Sequence, residues 1–197
     1  MLTKLLHRLA AHPWAYDQIQ NIVGVKGVLD RLTRGIAPLN PKIVVDIGGG
    51  TGAIRDLFAS DCRYVCLDME LPKLASYRSK VPSGLAVLGD ATSMPIIGCC
   101  ADMVICKSVT HHFSDLMLER ALDESWRVLR AGGHIVLLDA VINRRRLAGR
   151  VLWKFDRGSN PRTEEDLRQR LDSRFRIIHW EKFAIYHEYV FGIGVRP

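Results

Sequence analysis

Apolar residues near the start of the chain recur at three- and four-residue spacing. This spacing predicts two helices, over residues 2–11 and about 14–34. Pro13 separates them, and Gly35 ends the second. The start of the chain is therefore expected to be helical.

From residue 43 onwards, short apolar runs rich in β-branched residues alternate with helical stretches. Strands are predicted at 43–47, 64–67, 85–88, 103–106 and 134–138, and helices at about 52–59, 71–79 and 115–130. Such an alternation implies right-handed crossovers and a mostly parallel sheet with helices on both faces.

The last third of the chain departs from this alternation. Residues 144–155 form a basic amphipathic stretch, and Thr163 precedes a helix with an acidic first turn. Two strand-like runs follow, at about 176–185 and 188–195, and the connection between them permits only an antiparallel pair. The predicted fold class is α/β, with seven strands that end in an antiparallel hairpin.

Composition places the chain among ordinary globular proteins. It has 197 residues, of which 48% are apolar and 25% charged, so a disulfide scaffold and a disordered chain are both excluded. The N-terminus lacks the features of a signal peptide, and no apolar run reaches the roughly 20 residues of a membrane span. We expect a soluble, cytoplasmic protein.

Five cysteines lack metal-ligand spacing, and we expect them to be buried free thiols.

The net charge of +7 is distributed unevenly. Residues 144–176 contain 11 basic and 5 acidic side chains. This segment indicates either an anionic partner, including an anionic membrane surface, or a solvated basic face with no partner.

A glycine-rich turn follows the first predicted strand and carries the most informative motif. The segment Val44-Val45-Asp46-Ile47-Gly48-Gly49-Gly50-Thr51-Gly52 reads D-x-G-x-G-x-G. Its glycines, with Ala53 and Asp68, also satisfy the dinucleotide pattern, so the turn alone is ambiguous. Additional carboxylates near it would be unfavourable beside a pyrophosphate.

With its neighbours, this motif resembles the first motif of class I S-adenosylmethionine-dependent methyltransferases. Asp68 in CLDME, Asp90-Ala91 in LGDATSMPI, Ala101–Phe113 and Val128–Gly133 are similar to the motifs that follow in the family, in the correct order. Ala131 stands where many relatives have proline. The resemblance covers about half of the chain and implies a Rossmann-like methyltransferase sheet; the small-molecule and quinone-biosynthesis-like branch is the suspected one.

The resemblance also implies how the cofactor is held. Asp68 would bind the ribose hydroxyls with Met69 beside the adenine, Asp90 the adenine amine, and Asp46 with the glycine turn the methionine end. A purely structural role is the alternative for two of these residues: Asp46 would cap the turn, and Asp90 would likewise not contact the cofactor. The expected cofactor is S-adenosylmethionine, with S-adenosylhomocysteine as product and no metal. The cofactor-binding residues inferred are Tyr16, Asp46, Gly48, Gly49, Gly50, Gly52, Asp68, Met69, Asp90, Ala91, Lys107 and Ser108.

The acceptor is less well defined. Lys107-Ser108-Val109-Thr110 stands where enzymes acting on base or glutamine nitrogens carry an Asn or Asp followed by Pro-Pro-Tyr. Lys107 is expected to meet the cofactor through its backbone, with its side chain in solvent. His111 is the candidate general base, although packing or helix capping is an alternative for one or both of the adjacent histidines, His111 and His112.

Similarity to the family divides the single expected domain, 1–197, into four parts. Residues 1–40 would form a helical lid, 41–140 the cofactor-binding core, 141–175 the acceptor-side cover and 176–197 the C-terminal hairpin. In the lid, Tyr16 is expected to contact the cofactor, rather than its neighbours Trp14 and Asp17. The basic side chains expected to suit an anionic acceptor are Arg144, Arg145, Arg146, Arg150, Lys154, Arg157 and Arg162, with Trp153 among them.

The leading hypothesis is methyl transfer to oxygen or carbon of a small metabolite, anionic and lipid-linked molecules among the candidates. One alternative is an RNA methyltransferase, disfavoured by an aromatic content of 8%. Another is a catalytically idle cofactor-binding partner subunit. The sequence leaves the oligomeric state undefined.

Overall fold

The computed structural model describes residues 25–142, 160–185 and 188–197. The chain divides into two compact units, Met1–Leu39 and Asn40–Pro197.

The described part of the first unit is one helix and a short turn. Helix α1 (Val25–Ile36) buries Val28, Leu32 and Ile36, which recur every four residues along one face. A single 3-10 turn, Ala37–Leu39, follows it.

The second unit is built on a seven-stranded sheet with the order β3-β2-β1-β4-β5-β7-β6. Strands β1 to β5 run parallel, and β7 lies antiparallel to both β5 and β6. The strands are β1 (Ile43–Ile47), β2 (Arg63–Asp68), β3 (Leu85–Leu88), β4 (Ala101–Lys107), β5 (Leu129–Val141), β6 (Arg176–Ala184) and β7 (Glu188–Val195). The predicted fold class, including the antiparallel hairpin, is confirmed.

Within the described residues, three helices connect these strands: α2 (Leu71–Lys80), α3 (Asp115–Val128) and α4 (Glu164–Asp172). The side chain of Ser114 caps α3, and that of Thr163 caps α4, each accepting a backbone N–H three residues on. No helix in the described part of the chain is long and apolar enough to cross a membrane.

The core lies along the central strands. Met103–Cys106 of β4 and Ile135–Leu138 of β5 are buried on both faces, which explains why their sequences read as continuous apolar runs. These strands form a rigid base for the loops at their carboxyl ends.

The helix predicted over 52–59 does not form. The segment instead makes successive i to i+3 hydrogen bonds and one 3-10 turn, Arg55–Leu57. Gly52 adopts a left-handed φ of 74°, which ends helical propagation, and the Arg55 guanidinium donates to the Phe58 carbonyl at 3.1 Å. The composition of the segment is compatible with a helix, but these contacts favour a tighter turn.

Strand β5 is longer than the predicted run 134–138. Ala101 pairs with Leu129, whereas Met103 pairs with His134, so the intervening residues 130–133 form a bulge. The bulge is held by backbone hydrogen bonds to Arg196. The predicted turn before the fifth strand is therefore part of the strand.

One expectation about the cysteines is wrong. Cys62, Cys66 and Cys106 are buried free thiols, but Cys99 is exposed and Cys100 only partly covered. Cys99 also takes a left-handed φ of 54°.

Candidate cofactor-binding and active site

Four neighbouring strands bring charged side chains to one edge of the sheet. Asp46 of β1, Asp68 of β2, Lys107 of β4 and Asp139 of β5 each lie within two residues of the carboxyl end of their strand. The strands β2, β1, β4 and β5 are adjacent in that order. Ligands of open α/β sheets bind at this edge.

The glycine-rich turn after β1 combines left-handed backbone with close packing. Gly48, Gly50 and Gly52 have φ values of 67°, 55° and 74°. A Cβ at Gly48 would lie 2.6 Å from the Val109 side chain, and one at Gly49 would lie 2.7 Å from Asp46 Oδ2. A Cβ at Gly50 would meet nothing closer than 3.6 Å, so this glycine faces the most open space. The backbone of the turn is thus accessible to a ligand at Gly50.

Asp46 is buried below the turn and held by a tyrosine. Its Oδ2 accepts a hydrogen bond from the Tyr64 hydroxyl of β2. Burial raises the pKa of Asp46 to about 7, while the Tyr64 hydrogen bond and the charge of Lys107 oppose that shift. Burial likewise raises the pKa of Tyr64, which remains a hydrogen-bond donor.

Asp68 is bound by two backbone amides. Gly50 N–H donates to its Oδ2 at 2.9 Å, and Glu70 N–H donates to its Oδ1 at 2.8 Å. These bonds fix the carboxylate beside the glycine turn, and each oxygen retains a second lone pair for a ligand hydroxyl. Met69 next to it is 64% exposed.

Asp90 and Ala91 lie in the loop after β3. Thr92 N–H donates to Asp90 Oδ1 at 2.8 Å, which closes a local turn. Ala91 is buried and belongs to the hydrophobic core, so a ligand would contact it only through its backbone.

Lys107 contradicts the expectation that its side chain lies in solvent. It lines a pocket together with Asp46, and burial lowers its pKa although Asp46 and Asp139 both act to raise it. Ser108, which follows it, has a left-handed φ of 52° and donates its N–H to the Leu138 carbonyl at 2.8 Å. A non-glycine residue in this conformation is characteristic of functional sites.

His111 forms a buried pair with Asp139. Its Nδ1 lies 2.6 Å from Asp139 Oδ1, and the two residues are 7% and 0% exposed. The hydroxyl of Thr110 donates to Asp139 Oδ2 at 2.5 Å. His112 is exposed, and its ring centroid lies 4.3 Å from that of His111. Neither histidine caps α3, because Ser114 does so.

Asp139 is the site residue that sequence reasoning missed. Burial alone would raise its pKa, but the His111 ring and the hydrogen bonds from His111, Thr110 and the Ala140 amide together lower it. The carboxylate is therefore ionised at neutral pH. Its signal was a single acid directly after the apolar run 135–138, on the strand next to the one that precedes His111.

Arg162 was expected to face an anionic acceptor, but its side chain is used within the protein. Its guanidinium is buried and donates to the carbonyls of Thr110 at 2.8 Å and Phe113 at 2.7 Å, and it pairs with Asp115 at 2.9 Å. The Asn160 N–H donates to the His111 carbonyl at 3.0 Å. Arg162 thus fixes the loop that carries His111.

Several candidate residues lie outside the described residues. They are Tyr16, its neighbours Trp14 and Asp17, and the side chains Arg144, Arg145, Arg146, Arg150, Trp153, Lys154 and Arg157.

The polar side chains at this edge fit the groups of S-adenosylmethionine. The cofactor has a ribose diol, an adenine amine, and an amino-acid end with an ammonium and a carboxylate. Asp68 has free acceptor positions of the kind that a diol requires, and Asp46 and Lys107 bring opposite charges to one pocket. Among residues 25–142, 160–185 and 188–197, no three His, Cys, Asp or Glu side chains are grouped to hold a metal.

Residues 45–137, close to half of the chain, match a family model described as a methyltransferase domain. This range contains the glycine turn, Asp68, Asp90 and His111. No curated protein matches the chain in sequence.

Solved structures similar to the chain share its fold. The N-methyltransferase NodS from Bradyrhizobium japonicum WM9, in complex with S-adenosylhomocysteine, is similar over 99% of this chain and 98% of its own, with a TM-score of 0.75 and 14% identity. The PH0226 protein from Pyrococcus horikoshii OT3 is similar over 93% of this chain and 92% of its own, with a TM-score of 0.72 and 17% identity. SpnF, a [4+2]-cyclase, is similar over 85% of this chain and 81% of its own, with a TM-score of 0.67 and 17% identity.

The seven-stranded sheet, the matching domain and the donors at the carboxyl edge agree with one another. Residues 45–137 are those of a methyltransferase domain, built on a seven-stranded sheet with the fold of S-adenosylmethionine-dependent methyltransferases.

Proposed function

We propose that the protein transfers a methyl group to oxygen or carbon of a small metabolite, with His111 as general base. The buried His111–Asp139 pair carries this proposal. An O–H or acidic C–H acceptor must lose its proton as the new bond to the methyl carbon forms and the bond from that carbon to sulfur breaks. His111 Nε2 takes that proton.

Asp139 acts through His111 as a positioning residue. Because Nδ1 donates to the ionised Asp139 carboxylate, the neutral ring carries its lone pair on Nε2. Asp139 also stabilises the imidazolium that forms after proton transfer. Thr110 and the Ala140 amide hold the carboxylate in place, so the base is preorganised.

The remaining carboxylates hold the cofactor. Asp68 binds the ribose hydroxyls with Met69 beside the adenine, Asp90 binds the adenine amine, and Asp46 binds the amino-acid end. The Asp68 carboxylate supports this placement. The backbone amides of Gly50 and Glu70 fix it beside the glycine turn, where its remaining acceptor positions suit the two ribose hydroxyls.

The acceptor binds beside His111, at the part of the chain proposed as its cover, 141–175, which contains the basic segment 143–159. The residues that flank the segment support this location: Asn160 N–H donates to the His111 carbonyl, and Ile142 N–H donates to the Arg162 carbonyl at 2.8 Å. Six of the residues in the segment are arginine or lysine. This composition supports an anionic or lipid-linked acceptor.

A labelling experiment tests the proposal. The protein is incubated with S-adenosylmethionine carrying a tritiated methyl group, together with either a small-molecule extract or total RNA. We expect label in the small-molecule fraction, at a position that chemical degradation assigns to oxygen or carbon. Label in RNA alone would assign the protein to RNA methylation. Cofactor binding without transfer to either fraction would support a non-catalytic partner subunit.

Two histidine variants then test the base. His111→Gln should lower kcat at least about a hundredfold. His112→Gln is the matched control, because that side chain is exposed, and it should retain kcat. Both should bind S-adenosylhomocysteine normally. Equal kcat for the two variants would contradict the role of His111.

A further inference from the structure

One arginine bridges the two ends of the turn that carries His111. The turn is closed by a hydrogen bond from the Phe113 N–H to the Thr110 carbonyl at 3.1 Å. Arg162 donates through one terminal nitrogen to the Thr110 carbonyl at 2.8 Å and through the other to the Phe113 carbonyl at 2.7 Å. A single 3-10 turn is weakly held by its own hydrogen bonds, so its shape depends on such contacts.

The same turn holds Asp139, the partner of His111. The backbone N–H and the hydroxyl of Thr110 both donate to Asp139 Oδ2, at 2.7 and 2.5 Å. The other carboxylate oxygen, Oδ1, lies 2.6 Å from His111 Nδ1. Thr110 therefore joins Arg162, through its carbonyl, to the Asp139 carboxylate, through its N–H and hydroxyl.

The geometry at this position requires an arginine. Arg162 is buried, at 7% exposed, and its Nε and one terminal nitrogen donate to Asp115 Oδ1 at 3.1 and 2.9 Å. The planar fork thus contacts two carbonyls and one carboxylate at once. A lysine would keep the charge, but its single nitrogen cannot reproduce this fixed fork.

Three acidic side chains at successive turns of α3 each pair with an arginine from the chain around α4. The pairs are Arg162–Asp115 at 2.9 Å, Arg170–Glu119 at 2.5 Å and Arg174–Asp123 at 2.6 Å. A network of this kind fixes its members better than an isolated surface pair does. It holds α4 against α3 and keeps the guanidinium of Arg162 at the turn.

We propose that Arg162 is a positioning residue for proton removal by His111. By holding both ends of the turn, it keeps Nδ1 of the ring on Asp139 and leaves Nε2 for the acceptor. A displacement of about 1 Å can lower the rate of a reaction about a hundredfold, so a small movement of the turn matters. The inference rests on the proposed function, in which His111 Nε2 takes the proton of the acceptor.

The tautomer of the neutral His111 ring tests the inference without any acceptor. Nitrogen-15 NMR of the full chain with labelled histidine shows which ring nitrogen carries the proton, and His111→Gln assigns the signal. We expect the proton on Nδ1 in the wild type, because the Asp139 carboxylate accepts it. In Arg162→Lys, the ratio of Nδ1-protonated to Nε2-protonated ring should fall at least about fivefold, the loss expected for one hydrogen bond.

Arg174→Lys is the matched control. Its ion pairs are with Glu119 and Asp123, farther along α3, so the tautomer ratio should not change. Both variants should bind S-adenosylhomocysteine as the wild type does, which shows that the cofactor site is folded.

A second pair of variants decides the question if Arg162→Lys does not fold. Asp115 is exposed, and its carboxylate fixes the Arg162 guanidinium. Asp115→Asn should therefore lower the tautomer ratio of His111, by less than Arg162→Lys would. The same substitution two turns along the helix, Asp123→Asn, should leave the ratio unchanged. Equal ratios in these two variants would contradict the inference.

The rate of label transfer gives an independent readout. With saturating S-adenosylmethionine and the small-molecule extract, Arg162→Lys should lower the initial rate at least about tenfold and leave the KM for S-adenosylmethionine unchanged. An unchanged tautomer ratio in folded Arg162→Lys would overturn the inference, and so would an equal change in Arg174→Lys. If the wild type transfers no label, the proposed function fails, while the tautomer ratio still decides whether Arg162 positions His111.

Discussion

Replacing Asp46 by asparagine should stabilise the ligand-free protein, and the gain should grow with pH. Burial raises the pKa of Asp46 from 3.8 to about 7. Between these values the folded protein holds the proton on Asp46, whereas the unfolded chain has released it. The folded state then binds more protons, so the free energy of unfolding falls as pH rises through this window.

The size of the effect follows from the shift. About three pKa units at about 1.4 kcal/mol each correspond to roughly 4 kcal/mol, fully developed above pH 7. The two units between pH 5 and pH 7 account for about 3 kcal/mol of this. Asparagine has no charge to bury, and its amide oxygen still accepts the Tyr64 hydroxyl. The gain should therefore be larger at pH 8 than at pH 5 by up to that amount.

Urea denaturation at pH 5 and pH 8, followed by tryptophan fluorescence, measures the difference. Asp56→Asn is the matched control, because Asp56 is exposed, and its effect should be the same at both pH values. If Asp46→Asn lowers the free energy of unfolding equally at pH 5 and pH 8, the carboxyl is ionised in the folded protein at both, and the reasoning is refuted.

Three further predictions concern stability and are checked by denaturant titration. The Tyr77 hydroxyl is buried without a hydrogen-bond partner among the described residues, so Tyr77→Phe should be neutral or stabilise by about 1 kcal/mol; a clear destabilisation would reveal a partner. Gly52 and Gly132 share a φ of 74°, but only at Gly52 would a Cβ clash, 2.3 Å from the Tyr77 ring. Gly52→Ala should therefore cost about 1–3 kcal/mol more than Gly132→Ala, and equal costs would exclude the clash. Arg162→Met removes the donor to the Phe113 carbonyl, one of two donors to the Thr110 carbonyl and the ion pair with Asp115, and should cost about 3 kcal/mol, whereas the exposed control Arg120→Met should cost little; similar values would contradict the role of Arg162.

The strands and the cofactor motif could be predicted from the sequence because their signals are local. Ile43–Ile47 is a β-branched run that ends in glycines, and Asp68 ends the next such run. Parallel strands bring their carboxyl ends to one edge, so the grouping of these carboxylates followed from the topology.

The errors at the site concern contacts between residues distant in sequence. Lys107 reads as an exposed lysine until the pocket with Asp46 is formed, and Arg162 reads as a free arginine until the loop at Thr110 packs against it. The pair of His111 and Asp139 spans 28 positions. No periodicity encodes such pairs, because each depends on how two loops meet.

Calorimetric titration with S-adenosylmethionine, S-adenosylhomocysteine and NAD tests the central claim most directly, since it asks which cofactor the carboxyl edge of the sheet accepts. We expect micromolar binding of the first two and none of NAD, with at least about tenfold weaker binding in Asp68→Ala, which removes the acceptors for the ribose. Binding of NAD, or of none of the three, would contradict the account.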